Sequence, residues 1–224
     1  MTTLSVRIEH ETPDFKLDLR FDAAPGVTVL LGPSGSGKST TLSAIAGLVS
    51  PRAGRIALGD DVWLDTAGGV SRPVHTRRVA YVFQRLALFP HLTGAENVAY
   101  GVDRGRADRM QHARKMLERF RVGHLAERRP PTFSGGEAQR VALARALAMD
   151  PRVVLLDEPF SALDPELRAE LLAEVKERLG ELGVPALFVT HARDEARAIA
   201  DRVVVLDRGR IAREGGPEAI DPTS

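Results

Sequence analysis

The chain is 224 residues long, enough for one domain with a sizeable buried core, or one domain carrying an inserted lobe. Its 31 Lys and Arg against 30 Asp and Glu leave a formal net charge of +1, without the electrostatic footprint of a strongly basic nucleic-acid-binding domain. There is no cysteine, which excludes disulfides and thiolate metal sites. Residues 1–7 lack a basic stretch followed by an apolar run, so no secretory signal is expected, and no apolar stretch approaches membrane-spanning length. The expectation is a soluble, cytoplasmic protein whose membrane role, if any, comes through a partner.

Residues 4–8 alternate weakly and residues 15–21 strongly between apolar and polar, as strands with one buried face do, with Thr12-Pro13-Asp14 as the turn between them. Ala24-Pro25-Gly26 turns into a short apolar strand over 26–31. Next comes Gly32-Pro33-Ser34-Gly35-Ser36-Gly37-Lys38-Ser39, which matches the phosphate-loop pattern G-x-x-x-x-G-K-[ST]. A helix follows from Ser39 and ends before Ser50-Pro51, because the residue before proline is biased away from helix. Strand, loop and helix together are the context the motif requires. Glycines let backbone N–H groups turn toward a polyphosphate, and the helix N-terminus adds positive potential. Lys38 supplies a charge for the β- and γ-phosphates, and Ser39 a hydroxyl for Mg²⁺.

Residues 55–58 and 62–64 read as a hairpin around Gly59-Asp60-Asp61, with Trp63 packed on it and residues 65–73 as a loop. Val79-Ala80-Tyr81-Val82-Phe83 is an apolar strand stopping at Gln84, which is either a strand-end hydrogen bonder or a site residue. Residues 85–129 differ in character. Leu86-Ala87-Leu88-Phe89-Pro90 is apolar, Thr93 and Glu96 form a capping box for a short helix, and residues 107–121 show helical apolar spacing with His112 and Lys115 on the solvated side. This reads as a helical lobe inserted between strands, with Arg128-Arg129-Pro130-Pro131 as a stiff return.

Phe133-Ser134-Gly135-Gly136-Glu137 then leads a helix over about 138–149. Serine and glycines there make either an anion seat or an ordinary N-cap. Val153-Val154-Leu155-Leu156 is a fully buried strand ending in Asp157 and Glu158. Paired acids at that end of a central strand lie where α/β sheets bind ligands: Asp157 suits Mg²⁺, and Glu158 is free to orient or deprotonate a water. Asp164 and Pro165 begin a long helix bracketed by Gly180 and Gly183. Residues 186–190 are another buried strand, ending at His191, the third strand end in the series to carry a polar group. A helix over 193–200, a strand over 202–206, a turn, a return strand over 211–214 and one possible short helix in the tail complete the chain.

In this order the elements resemble the ATP-binding cassette of ABC transporters over essentially the full length. Residues 32–39 look like Walker A, Gln84 the Q-loop glutamine, residues 133–137 the signature motif, residues 153–157 Walker B and Glu158 the catalytic glutamate. Residues 161–164 look like the D-loop and His191 the switch histidine. In the signature, Phe133 stands for leucine and Glu137 for glutamine. Where the family places an adenine-stacking aromatic after the first strand, this chain has Glu9-His10-Glu11-Thr12, with Phe15 the nearest aromatic and His10 a weaker substitute.

The resemblance implies an α/β fold: a P-loop NTPase core with a mainly parallel sheet and an antiparallel β subdomain over about 1–84 and 130–224, and a helical subdomain over about 85–129. It implies ATP and Mg²⁺ as ligands. ATP is bound by residues 32–39 and Thr40 of one copy and by Ser134, Gly135, Gly136 and Glu137 of a second, with Asp164 nearby. Mg²⁺ is held by Ser39, Asp157 and Gln84, and Glu158, His191 and Gln84 are catalytic. The partners implied are a second copy of the chain, integral-membrane permease subunits gripped by exposed apolar residues of the lobe, and indirectly a solute-binding protein, with no nucleic acid. The place implied is the inner face of the cell membrane. Within the family, Arg77-Arg78-Val79-Ala80-Tyr81-Val82-Phe83-Gln84 and Leu88-Phe89-Pro90-His91-Leu92-Thr93 are similar to importers of oxyanions and polyamines. The missing aromatic is most similar to molybdate importers. The alternatives are an importer ATPase for another solute and a soluble ABC ATPase.

Overall fold

The strand that delivers the phosphate loop lies inside the larger of two sheets. The computed structural model describes residues 2–12, 15–103, 105–161 and 163–221. Pro13 and Asp14 of the expected turn, Ala162 of the segment 161–164 and residues 222–224 of the tail lie outside the described residues. The larger sheet has six strands in the order β11-β10-β3-β9-β8-β7: β3 (Gly26–Leu31), β7 (Val79–Val82), β8 (Val153–Asp157), β9 (Pro185–Thr190), β10 (Arg202–Asp207) and β11 (Arg210–Gly215). All neighbours pair in parallel except the β10–β11 hairpin. β1 (Leu4–Thr12), β2 (Phe15–Ala23), β4 (Ala53–Leu58), β5 (Asp61–Asp65) and β6 (Val70–Ser71) form an antiparallel sheet ordered β2-β1-β4-β5-β6.

Alternation along the parallel strands sorts their side chains into two cores. Val27, Val29, Val154, Leu156, Ala186 and Phe188 face α2 (Gly94–Ala99), α3 (Arg106–Arg119), α4 (Gly135–Leu147), α5 (Pro165–Leu182) and α6 (Arg193–Ile199). Leu30, Val153, Leu155, Leu187 and Val204 face α1 (Lys38–Ala46) and the apolar side of the antiparallel sheet. Covered on both faces, these strands must be continuous apolar runs, and each fully buried Leu, Val or Phe contributes roughly 1.5–3 kcal/mol. Trp63 is fully buried in the second core and donates its indole N–H to Asp61 Oδ2 at 3.2 Å.

Some boundaries differ from the expectation, for physical reasons. α1 begins at Lys38 and ends at Ala46, where Gly47 takes a left-handed φ of 84° and closes the helix well before Pro51. α4 begins at Gly135, three residues early, because Ser134 and Glu137 form a full capping box and so tolerate two glycines in the first turn. Gly180 lies inside α5, and Gly183 alone caps it. The loop over 65–73 holds the short β6. His112 is not merely solvated: Nε2 lies 3.1 Å from the Ala148 carbonyl, tying α3 to the end of α4. Leu86, Leu88 and Phe89 are half-buried rather than exposed, and the exposed large apolar side chains in this region are Phe83 and Tyr100.

Ion pairs tie this helical region to α5. The Arg140 guanidinium, nearly buried, meets Glu174 Oε2 at 2.6 Å and Glu170 at 3.2 Å. Arg121, just beyond α3, reaches the same two acids, and Arg119 meets Glu181. Removing one member would leave a poorly solvated charge without its partner. α4 is thereby tied to α5 through Arg140, and the end of α3 through Arg119 and Arg121.

Candidate functional site

The loop after β3 has its shape forced by contact. A Cβ on Gly32 would sit 2.3 Å from the Leu206 carbonyl oxygen. One on Gly37, at φ 101°, would sit 2.4 Å from Leu17 Cδ1 and 2.8 Å from Phe15 Cζ. Glycine at these places lets the loop lie between β10 and the β1–β2 hairpin. The first N–H groups of α1 have no acceptor within the helix, and Ser36 Oγ is buried without a hydrogen-bond partner. Both are donors suited to an anion. Lys38 folds back over the loop, its Nζ donating to the Gly32 and Pro33 carbonyls at 2.8 Å each. Burial holds its pKa below the usual lysine value, and the neighbouring Glu158 and Asp157 oppose that shift.

The other strand ends converge here. Ser39 Oγ donates to Asp157 Oδ1 at 2.9 Å, and Tyr81 Oη donates to Asp157 Oδ2 at 3.4 Å. Burial raises the pKa of Asp157; the bonds from Ser39 and Tyr81 pull it back, and the Glu158 charge adds to the rise. Burial also pushes the Tyr81 phenol up to about 12, so it acts as a neutral donor. Glu158 follows at φ 45°, a left-handed conformation costly for a side chain of its kind, with its N–H bonded to the Val189 carbonyl at 3.0 Å. That conformation turns the carboxylate away from Asp157 toward Gln84 Nε2 at 3.4 Å and His191 Nδ1 at 3.3 Å. A hydroxyl and one carboxylate beside a phosphate seat form a donor set suited to Mg²⁺, which takes one or two carboxylates plus substrate phosphates. Among the described residues no cluster of three His, Cys, Asp or Glu could hold a metal unaided.

A cleft of the same chain joins Ser34, Gly35, Gly37, Lys38, Ser39 and Thr40 with Gln84 and Glu158 on one side, and with His10, Thr12 and Phe15 on the other. Thr12 and Phe15 are cross-strand partners, as are His10 and Leu17, so the hairpin presents these side chains from one face near its β1–β2 connection. Thr12 was not foreseen, although its place two residues beyond His10 is the available signal. Nor was Tyr81, whose hydroxyl sits on a strand read as wholly apolar.

Ser134, Gly135, Gly136 and Glu137 do not line this cleft. Glu137 returns its carboxylate to the Ser134 N–H at 2.7 Å and meets His124 Nε2 at 2.8 Å, while Gly136 rests against Leu167 of α5. Asp164 caps α5, accepting from the Leu167 N–H at 3.0 Å. Arg145 of α4 donates to the carbonyls of Leu86 and Ala87 at 2.9 and 2.7 Å, fixing the segment that follows Gln84. The phosphate loop thus lies in a cleft, and the capped start of α4 lies outside it.

Comparison with known proteins agrees with this arrangement. A sequence profile of the family described as ABC transporter matches residues 17–161. The molybdenum import ATP-binding protein ModC of Albidiferax ferrireducens is 43% identical over 214 residues, 95% of this chain and 58% of the relative. ModC 1 of Azotobacter vinelandii is 45% identical over 196 residues, 87% of this chain and 54% of the relative. The chain thus spans less than two thirds of the length of these relatives. Among solved structures, the dimeric bacterial ABC transporter cassette MJ0796 superposes with a TM-score of 0.81 at 28% identity, covering 96% of this chain and 98% of that one.

The start of α4 yields a pH prediction. The bond from His124, followed by those of the Ser134 cap, lowers the Glu137 pKa from 4.5 to about 2. A carboxyl that titrates lower when folded stabilises fully above its unfolded value and loses that contribution as pH falls toward its folded one. Thermal unfolding of the native chain and of Glu137→Gln between about pH 4.5 and about pH 2 should show the native chain losing stability more steeply. Parallel curves would refute the assignment.

Proposed function

The chain belongs to the ABC transporter family, and on that premise we propose that it is the ATP-binding and ATP-hydrolysing subunit of an import system, acting as a pair of copies on membrane permease subunits. The observation that carries the reading is the convergence of Lys38, Ser39, Gln84, Asp157, Glu158 and His191 at the carboxyl ends of parallel strands. Residues 32–40 cradle the triphosphate, and Lys38 exchanges two backbone carbonyls for phosphate oxygens. Ser39 and Asp157, with Gln84, would hold Mg²⁺. When bound, Mg²⁺ neutralises charge developing on the phosphate oxygens. Glu158, kept off the metal side by its left-handed backbone, orients and polarises the attacking water, and His191 meets the γ-phosphate. Ring surfaces of Phe15 and His10 take the base. These steps rely on positioning and preorganised charge.

Ser134, Gly135, Gly136 and Glu137, lying outside the chain's own cleft, serve the nucleotide of a second copy, with Asp164 near that seam. This reading is supported by their separation from the cleft and by the dimeric form of the MJ0796 cassette. The helical subdomain over 85–129 carries the permease contact, with the more exposed Tyr100, and Phe83 just before the subdomain, contributing beside residues 86–90. No helix among the described residues is long and apolar enough to cross a membrane, which suits an ATPase that reaches the inner membrane face through its permease. Molybdate is the solute favoured by the names of the relatives.

Lys38→Ala should abolish ATP binding measured by calorimetry, and unchanged affinity would overturn the phosphate-loop assignment. Glu158→Gln should bind ATP, accumulate as a dimer on size-exclusion chromatography and turn over about 100-fold more slowly or worse, the loss expected for a general base. Wild-type turnover in that variant would remove Glu158 from the chemistry. Cells deprived of this chain should lose high-affinity molybdate uptake while keeping sulfate uptake, and the reverse outcome would reassign the solute.

A further inference from the structure

The His191 ring is 58% exposed and meets Glu158 over 3.3 Å, so packing does not hold it in place. Its backbone is held instead. Thr190, 2% exposed, accepts the Ala192 N–H on Oγ1 at 3.0 Å and donates the same hydroxyl to Glu195 Oε2 at 2.5 Å. His191 is the residue spanned by that turn. Glu195 is 6% exposed, and its other oxygen lies 3.5 Å from Arg168 Nε. Arg168 in turn donates through Nη2 to the Leu163 carbonyl at 2.7 Å, directly before the cap of α5.

We infer that Thr190, Glu195 and Arg168 are positioning residues that set His191 against Glu158 and tie that setting to the segment ending at Leu163 and Asp164. This rests on the reading of His191 and Glu158 given above. A buried threonine needs one partner for its hydroxyl, and here it has two, one accepting from it and one donating to it, so its rotamer is fixed. A buried glutamate needs compensation, and here the hydroxyl hydrogen-bonds one oxygen while the Arg168 charge pairs with the other at 3.5 Å, without a hydrogen bond from Nε. Glu158 hangs from the same strand end, its N–H bonded to the Val189 carbonyl. The two groups facing the reacting phosphate therefore share β9 as a base, and the relay sets only the side that carries His191. Displacing Leu163 would pull Arg168, then Glu195, then the turn beneath the histidine.

The test is steady-state ATP hydrolysis by the full chain with Mg²⁺, alongside thermal midpoints. Thr190→Val keeps the shape and removes the hydroxyl. It should lower kcat roughly 10-fold while KM for ATP stays within about twofold, because the phosphate loop is untouched. Thr190→Ser should restore kcat. In a His191→Ala background, Thr190→Val should cost nothing more, since the histidine it positions is gone. A lower thermal midpoint with wild-type kcat, or a full independent loss in the His191→Ala background, would reduce the relay to scaffolding and overturn the inference. If Thr190→Val does not fold, Arg168→Gln replaces it in the same cycle, with the same selective loss of kcat expected and the same two results refuting it. Should His191→Ala itself keep wild-type turnover, the reading of the site falls and the relay with it; if it is impaired and Thr190→Val is not, only the relay falls.

Discussion

Parallel strands deliver their carboxyl ends to one edge of a sheet. β3, β7, β8 and β9 are hydrogen-bonded in parallel register, and their ends put Lys38, Gln84, Asp157, Glu158 and His191 around one volume although these residues span more than half of the chain. The sheet fixes this gathering, and burial on both faces fixes the sheet. Asp157 ends β8 outside both cores, and Lys38, Gln84, Glu158 and His191 follow the strands rather than lie within them. The chemistry lies at the edge because the interior would charge several kcal/mol for each unpaired group.

The same constraint explains what was legible in the sequence. Apolar runs that stop abruptly at Gln84, at Asp157-Glu158 and at His191 mark buried strands with functional ends, and the phosphate loop is a local motif whose strand and helix are its neighbours. Capping residues were equally readable: Thr93 with Glu96, and Asp164 with Pro165, stand where expected. The start of α4 lies at Gly135 rather than near Ala138 because the reciprocal bonds of Ser134 and Glu137 outweigh the propensity cost of two glycines in the first turn. That S-x-x-E spacing was present in the sequence and is a local signal.

What the sequence hid consists of long side chains that act at a distance. Nothing near Arg168 announces that its guanidinium meets Glu195, nor does Arg145 advertise that it grips the carbonyls of Leu86 and Ala87. Arginine is suited to this work. It stays charged when partly buried, as desolvation only lowers an already high pKa at Arg145 and Arg77, and its planar fork reaches several carbonyls at once. Arg77 uses that reach on the carbonyls of Ala44 and Ile45, closing the helix whose other end bears Lys38.

These arms give the site its division of labour. Strand geometry brings the groups to within a few ångströms, which is enough for binding because phosphate oxygens tolerate small displacements through flexible Lys38. Hydrolysis is more demanding, since an attacking water must be aligned with the bond it breaks. Under the proposed function, Glu158 would meet that demand through its left-handed backbone conformation at the strand end, and His191 through a turn held by a buried hydroxyl. Under the proposed function, binding and turnover would therefore depend on different parts of the fold, the first on a loop closed by glycines and the second on cross-links that reach as far as α5. A displacement at Leu163 would then alter turnover while the phosphate seat stays unchanged.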